Sequence, residues 1–292
     1  MRKTITLLAF ACLGAGFTAP ISAQAPVGEP PPKILQIGVE EVKPGHGKAH
    51  EKLETAWSRA FADAKWPVHY FALTAMTGVN AAWYMSGYPS FAAMEKADKE
   101  MEKQPALQAL NSSFAEKDGD HLSGGRSIIA VLQEDMSRPM PGQLGNARFF
   151  RISRTTVRAG HTLEYQEANR LLRAAFEKAG VKTGFAVFSV VGGYPVPSYL
   201  SLTRMTSMAE MDEVPANSKA LREAMGEETF KTYLKLLADS VAQSETLVFA
   251  VNPLMSYPRP AWVEADPAFW KPAAPAKAPA AKTKAKAEPA KS

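Results

Sequence analysis

Residues 34–64 read ILQIGVEEVKPGHGKAHEKLETAWSRAFADA, and residues 149–179 read FFRISRTTVRAGHTLEYQEANRLLRAAFEKA. Laid over each other at an offset of 115, they align Ile37 with Ile152, Val42 with Val157, Lys43 with Arg158, Gly45 with Gly160 and His46 with His161. The agreement continues through Leu53/Ala168, Ala56/Leu171, Trp57/Leu172, Ala60/Ala175, Phe61/Phe176 and Ala64/Ala179. These positions recur at the three- and four-residue spacing of one helical face. Each stretch therefore predicts a strand (34–42; 148–157) passing through a glycine turn into a long helix (46–64; 161–179).

The correspondence extends beyond these segments. Hairpins are predicted at 68–76 with 82–88 and at 184–192 with 197–204, around the breaker-rich turns Thr77-Gly78-Val79-Asn80 and Gly192-Gly193-Tyr194-Pro195. Polar helical segments interrupted by Pro105 and Pro215 follow, then closing strands at 127–133 and 246–252. The order βαββαβ, read twice, is that of a ferredoxin-like unit whose second sheet face needs covering. The fold class is α+β: two tandem ferredoxin-like repeats packed sheet to sheet as an intramolecular α/β barrel. The expected boundaries are a signal peptide at 1–25, a linker at 26–33, repeat 1 at 34–137, a linker at 138–146, repeat 2 at 147–257 and a disordered Pro/Ala/Lys-rich tail at 258–292.

Arg2 and Lys3, the apolar run 5–18 and the small residues Ser22, Ala23 and Ala25 have the form of a secretory leader, with cleavage after Ala23 or Ala25. A secreted or periplasmic protein is expected. Cys12 is the single cysteine and lies in that leader, which removes thiol nucleophiles, disulfides and Cys-ligated metals from the mature chain. The formal net charge is +5, of which the leader carries +2 and residues 271–292 carry +5, leaving −2 on residues 26–270. A mildly acidic body excludes a nucleic-acid-binding role. The lysine-rich tail reads either as a tether to anionic envelope polymers or lipids, or as a solubilising segment.

The strand ending in Val42-Lys43-Pro44-Gly45, running into an amphipathic helix within a βαββαβ unit, resembles the dimeric α/β-barrel superfamily. Its NIPSNAP-like and antibiotic-biosynthesis-monooxygenase-like groups are the most similar. The resemblance covers residues 33–256 and implies two units forming one barrel, with a ligand pocket between sheet and helices. Its members include cofactor-free monooxygenases, haem-degrading and chlorite-dismutase-like proteins, isomerases and proteins without known activity. The haem-degrading members use an Asn, a Trp and a His. No Asn lies in strand 34–42, and the second unit offers only His161, so no cofactor is expected.

Several residues could carry chemistry. His69, Trp83 and Tyr84 lie on the first hairpin, either lining an aromatic pocket with a proton-transferring tip or packing as sheet core. Arg154 and Arg204 lie on neighbouring strands and are expected to converge at one end of an apolar face, where they would demand an anion or snorkel to water. His69, Trp83, Tyr84, Arg154 and Arg204 are thus the candidate ligand-binding residues, and no catalytic residue is assigned. His46, His50 and Glu54 share a helix face, but the 1.5 Å rise per residue spreads all three over more than about 10 Å. Only His46 and His50 remain as weak metal candidates, and no metal is expected. The function expected is a small-molecule enzyme, monooxygenase- or isomerase-like, on an aromatic or anionic substrate. The alternative is a non-catalytic envelope protein that binds a ligand or partner and is held by its basic tail. The pseudo-dimer within one chain is compatible with a monomer.

Overall fold

The computed structural model describes residues 30–271; the leader and most of the lysine tail lie outside them. β1 (Ile34–Val42) turns at Gly45, whose φ of +83° an L side chain would strain, and leads into α1 (Gly47–Asp63). The hairpin β2 (Tyr70–Ala75) and β3 (Ala81–Tyr88) follows, then α2 (Phe91–Glu102), α3 (Pro105–Asp118) and β4 (Leu122–Leu132). The second half has the same order. β5 (Phe149–Val157) turns at Gly160, also at positive φ, into α4 (Thr162–Lys178). Then come β6 (Ala186–Gly192), β7 (Ser198–Met205), a 3-10 turn, α5 (Val214–Met225), α6 (Glu227–Ser240) and β8 (Val241–Val251). Pro105 and Pro215 stand in the first turns of α3 and α5, where the missing N–H costs nothing.

The eight strands close one barrel in the order β1-β3-β2-β8-β5-β7-β6-β4. This is the expected intramolecular barrel, closed as one continuous ring of strands. β2 joins β8 through Leu73–Ala75, and β4 joins β6 through Ile129–Leu132, so neither half leaves an open edge. The interior takes alternate residues of every strand, including Ile37, Leu73, Trp83, Ile128, Ile152, Leu200 and Phe249. A register shift falls at Glu41/Val42 between β1 and β4, and another at Thr156/Val157 between β5 and β8. β4 and β8 begin about five residues before the expected 127 and 246. Of the added residues, Gly124, Gly125 and Gln243 pair in the ladders, Ser123 stands at the register shift with its hydroxyl donating to the Glu41 carbonyl, and none gives apolar alternation.

One end of the barrel is capped by α7 (Pro260–Ala265) and α8 (Pro267–Trp270). The tail expected from 258 onward is therefore folded as far as Trp270. Trp262 stacks on Phe71 with centroids 4.6 Å apart, and the Trp270 indole N–H donates to the Gly145 carbonyl at 3.0 Å. Two buried indoles supply enough apolar area to hold these short helices, which the Pro- and Ala-rich composition around them conceals. Gly145 admits the cap: a Cβ there would stand 2.6 Å from Trp262. Trp262→Ala is expected to cost about 3–5 kcal/mol of unfolding free energy, read from the urea midpoint.

Candidate active site

Alternation along β1 sends Leu35, Ile37 and Val39 into the barrel and leaves Gln36, Gly38 and Glu40 on its outer face. The register sets Gly38 opposite Tyr84 of β3, so the tyrosine rises from the same face with no side chain beside it on β1. Over this face lies α1, whose buried residues are His50, Glu54, Ser58 and Phe61. That is not the stripe expected from sequence. Ala56 and Ala64 are exposed, and Trp57 and Ala60 pack with Leu107 and Met101 of the neighbouring helices. Phe61, Trp57 and Ala60 join one cluster with Tyr70, Ala72 and Ala82 of the sheet and Leu107 of α3, and the polar residues His50, Glu54 and Ser58 lie beside them. The last residue of α3, Asp118, completes the group.

His50 is the hub, at 2% exposure, with Glu54 and Asp118 each at 6%. Its Nδ1 lies 3.0 Å from Asp118 Oδ1, which assigns the proton to Nδ1 as donor to the carboxylate. Nε2 then accepts from the Tyr84 hydroxyl at 3.2 Å and lies 3.4 Å from Glu40 Oε2. Burial pushes Glu54 up to about 8; the Glu40 charge adds to this, while a hydrogen bond from Tyr84 opposes it. Burial, then the Asp118 charge, raises Glu40 to about 7, again against a hydrogen bond from Tyr84. Burial also holds the Tyr70 and Tyr84 phenols well above the ordinary tyrosine value, so both remain neutral. The two glutamates therefore retain protons near neutral pH, at a place where ionising both is costly.

Glu40, Glu54, Asp118 and Tyr84 line a cleft of about 720 Å³ between sheet and helices, with His50 set back from it. Its walls include Trp57, Phe61 and Tyr70, with Gln36, Ser86 and Ser127 as neutral polar groups, and among the described residues no Lys or Arg lines it. Two kinds of chemistry suit this arrangement. A carboxylate pair that shares a proton can exchange it with a substrate. Alternatively, the donor atoms of Glu40, His50, Glu54 and Asp118, which all lie within 4.8 Å of one another, could hold a divalent cation in a mixed N/O site. The corresponding positions of the second half are Thr155, Tyr165 and Asn169. There the Tyr165 ring packs on Tyr199 at 4.7 Å, and the Thr155 hydroxyl lies 3.1 Å from that of Ser244. The ionisable cluster belongs to the first half.

The residues expected from sequence are scattered. Tyr84 is in the cluster. Trp83, one residue along β3, points into the barrel against Phe249. His69 lies at the capped barrel end, tilted over Tyr257. Arg154 and Arg204 do not converge: Arg154 pairs with Leu200 and Arg204 with Phe150, four ladder positions apart along antiparallel strands. Arg154 forms an ion pair with Glu245 and lies 4.2 Å from the Tyr194 ring centroid, near the opposite end. His46 turns away from His50 to His121, with Nδ1 atoms 2.9 Å apart. Glu40 and Asp118 were missed, since neither an outward strand glutamate nor a helix-terminal aspartate signals burial in one dimension. The available hint was the i, i+4 pair His50 and Glu54 on α1.

No family model matches the chain, and no curated protein matches it. Similarity appears among solved structures. A candidate monooxygenase from Fusobacterium nucleatum subsp. nucleatum is 13% identical, with a TM-score of 0.51 over 75% of this chain and 91% of that one. The likeness is one of fold, a closed eight-stranded antiparallel α+β barrel. An anthrone oxidase-like protein is 12% identical over 75% of this chain and 91% of its own, with a TM-score of 0.49. A chlorite dismutase variant from Candidatus Nitrospira defluvii is 10% identical over 76% and 93%, with a TM-score of 0.46. Among the described residues of this barrel, no helix is long and apolar enough to cross a membrane.

Proposed function

We propose that the chain is a small-molecule enzyme, of monooxygenase or isomerase type, whose reaction centre is Glu40, Glu54 and Tyr84 with His50 and Asp118 behind them. One observation carries this reading. Three carboxylates are gathered beside an aromatic-walled cleft with no Lys or Arg among the described residues of its lining. Such a cleft repels anions, so the substrate class narrows from aromatic or anionic to neutral aromatic molecules bearing an acidic C–H or phenolic O–H. An ionised Glu54 or Glu40 takes that proton. Tyr84, whose hydroxyl holds a single proton, donates it to His50 Nε2 or to one ionised glutamate, and the His50–Asp118 contact fixes the imidazole orientation. Reprotonation at another atom gives isomerisation, and reaction of the substrate anion with dioxygen gives oxygenation.

Hydrogen–deuterium exchange of neutral anthrone- and quinol-type compounds in D2O, followed by NMR beside an oxygen electrode, tests the reading. Exchange without oxygen uptake supports an isomerase, and oxygen uptake a monooxygenase. Absence of both across the panel overturns proton abstraction. The convergence of four donor atoms supports a second reading, a divalent-cation centre held by Glu40, Glu54 and His50 Nε2, with Asp118 orienting the imidazole. Metal content of the purified protein, with Zn2+ and Mn2+ titration calorimetry on wild type and Glu54→Gln, separates the two.

Export, an internal duplication of a ferredoxin-like unit, and tethering through the lysine tail complete this proposal. The matching element order and β-bulges support the duplication. If the leader is processed as proposed, N-terminal sequencing of the exported protein finds Gln24 or Pro26 first; an intact Met1 on exported material removes that part. A non-catalytic, tail-tethered envelope protein stands as the alternative, to be preferred if the substrate panel and the metals both fail.

A further inference from the structure

Beside the ionisable cluster, the sheet floor of the same cleft is bare. Alternation puts Gln36, Gly38 and Glu40 of β1 in one row on the outer face, and all three line the cleft. A Cβ at Gly38 would meet Tyr84 alone among the described residues, at 3.8 Å, an ordinary contact, so open space stands above this glycine. From α1, which lies over this face, Trp57 and Phe61 supply aromatic walls. The matching position of the second half carries Ser153, whose hydroxyl lies 2.8 Å from that of Thr246. Gln36 stands beyond Gly38 from Glu40, about 13 Å away along the strand at about 3.3 Å per residue. Its carboxamide is oriented by Tyr88, whose hydroxyl donates to Gln36 Oε1 at 3.1 Å. Burial, then the Asp98 charge, raises the Tyr88 phenol to about 12, so it keeps the proton it donates. With its oxygen taken, the amide NH2 is the group that Gln36 presents to the cleft.

We infer that Gln36 orients the substrate: its amide N–H donates to a carbonyl oxygen at one end of a neutral fused-ring molecule, whose body lies over Gly38 and whose acidic hydrogen meets Glu54 and Glu40 at the other end. The inference rests on the reading of this cleft as a proton-transfer centre, and it narrows the substrates of that centre to aromatic ketones. The cleft, of about 720 Å³, falls within the range of small-molecule sites, about 300–1,000 Å³. Such sites are mostly apolar, and a few placed polar groups fix the orientation of the ligand. A neutral donor suits a neutral carbonyl and adds no charge beside the carboxylates. A hydrocarbon in the same place would leave the amide N–H desolvated and unpaired.

The test is equilibrium dialysis of the full chain with 9-fluorenone and with fluorene, the same ring system without the carbonyl. Gln36→Met keeps the length of the side chain and removes the donor. The ratio of fluorenone to fluorene affinity is expected to fall about fivefold in it, the worth of one neutral hydrogen bond, while fluorene binding holds. Tyr88→Phe, outside the cleft lining, frees the Gln36 oxygen and is expected to lower the same ratio by a smaller factor. It keeps the test open if far-UV circular dichroism shows Gln36→Met unfolded. Gly38→Val builds a side chain into the open floor at a strand position that suits a β-branched residue. It is expected to weaken both ligands at least about tenfold with no loss of melting temperature. Fluorenone has no acidic C–H, so its binding is read independently of proton transfer. A ratio that depends on Gln36 in a protein that exchanges no substrate hydrogen keeps this inference and overturns the reaction. Exchange that persists beside a ratio unchanged in the folded variants does the reverse. Failure of fluorenone to bind the wild type, or unaltered affinities in Gly38→Val, also overturns the inference.

Discussion

Glu54→Gln is expected to lower the rate of substrate deprotonation by about 10²–10⁴-fold, the usual contribution of a positioned general base. The amide keeps the size and polarity of the side chain but cannot take a proton, so substrate affinity should change little and kcat should carry the loss. Glu40→Gln is expected to cost less if Glu54 is the principal base, and comparably if the pair works as a unit. The contrast with Tyr84→Phe is informative. Removing the hydroxyl deletes the donor that opposes the rise of both glutamates. The ascending, acid-side limb of the pH–rate profile should therefore move to higher pH in Tyr84→Phe, while a merely structural tyrosine would lower the rate without shifting the profile. Deuterium exchange into the substrate, measured against pH, reads both effects.

The second large effect is on stability. The ordinary glutamate value is 4.5, and the folded protein holds Glu40 at about 7 and Glu54 at about 8. The native state therefore binds more protons than the unfolded chain between these limits, and its stability falls as pH rises. The contribution is intact below about pH 4.5 and is lost progressively up to about pH 8. One pKa unit is about 1.4 kcal/mol, so the loss is on the order of a few kcal/mol for the coupled pair. Glu54→Gln should match wild type near pH 5 and exceed it in melting temperature near pH 8.5. If the variant is less stable at both ends, the raised carboxylates are not the source of the slope. A divalent cation at the cluster would reverse the trend, because Zn2+ or Mn2+ would stabilise the ionised carboxylates most strongly at high pH.

These two results bear on one residue that the local pattern understates. Glu54 sits at i+4 from His50, and simple helix geometry puts both on one face. Trp57 and Phe61 stand beside them on the cylinder, so in isolation the two ionisable residues read as the polar edge of an apolar stripe. The burial of that edge depends on α1 lying over the outer face of the sheet, where Phe61 meets Tyr70, and on α3 closing beside it through Leu107. Asp118 arrives from 68 residues beyond His50, and Glu40 from the strand below. No one-dimensional period joins those three segments.

Short-range order was legible along the chain. The strand–glycine–helix stretch at 34–64 and its counterpart at 149–179 locate the elements within a few residues, because alternation, helical period and positive-φ glycines are written into neighbouring positions. What sequence could not carry was relative placement. Antiparallel register parts Arg154 from Arg204 by four ladder positions, although both belong to adjoining strands and point into the barrel. Ring closure through β2–β8 and β4–β6, folding of the cap as far as Trp270, and assembly of the carboxylate cluster all rest on contacts between residues remote in the chain. Backbone propensity is local, whereas register, burial and electrostatic crowding arise only once distant segments share space.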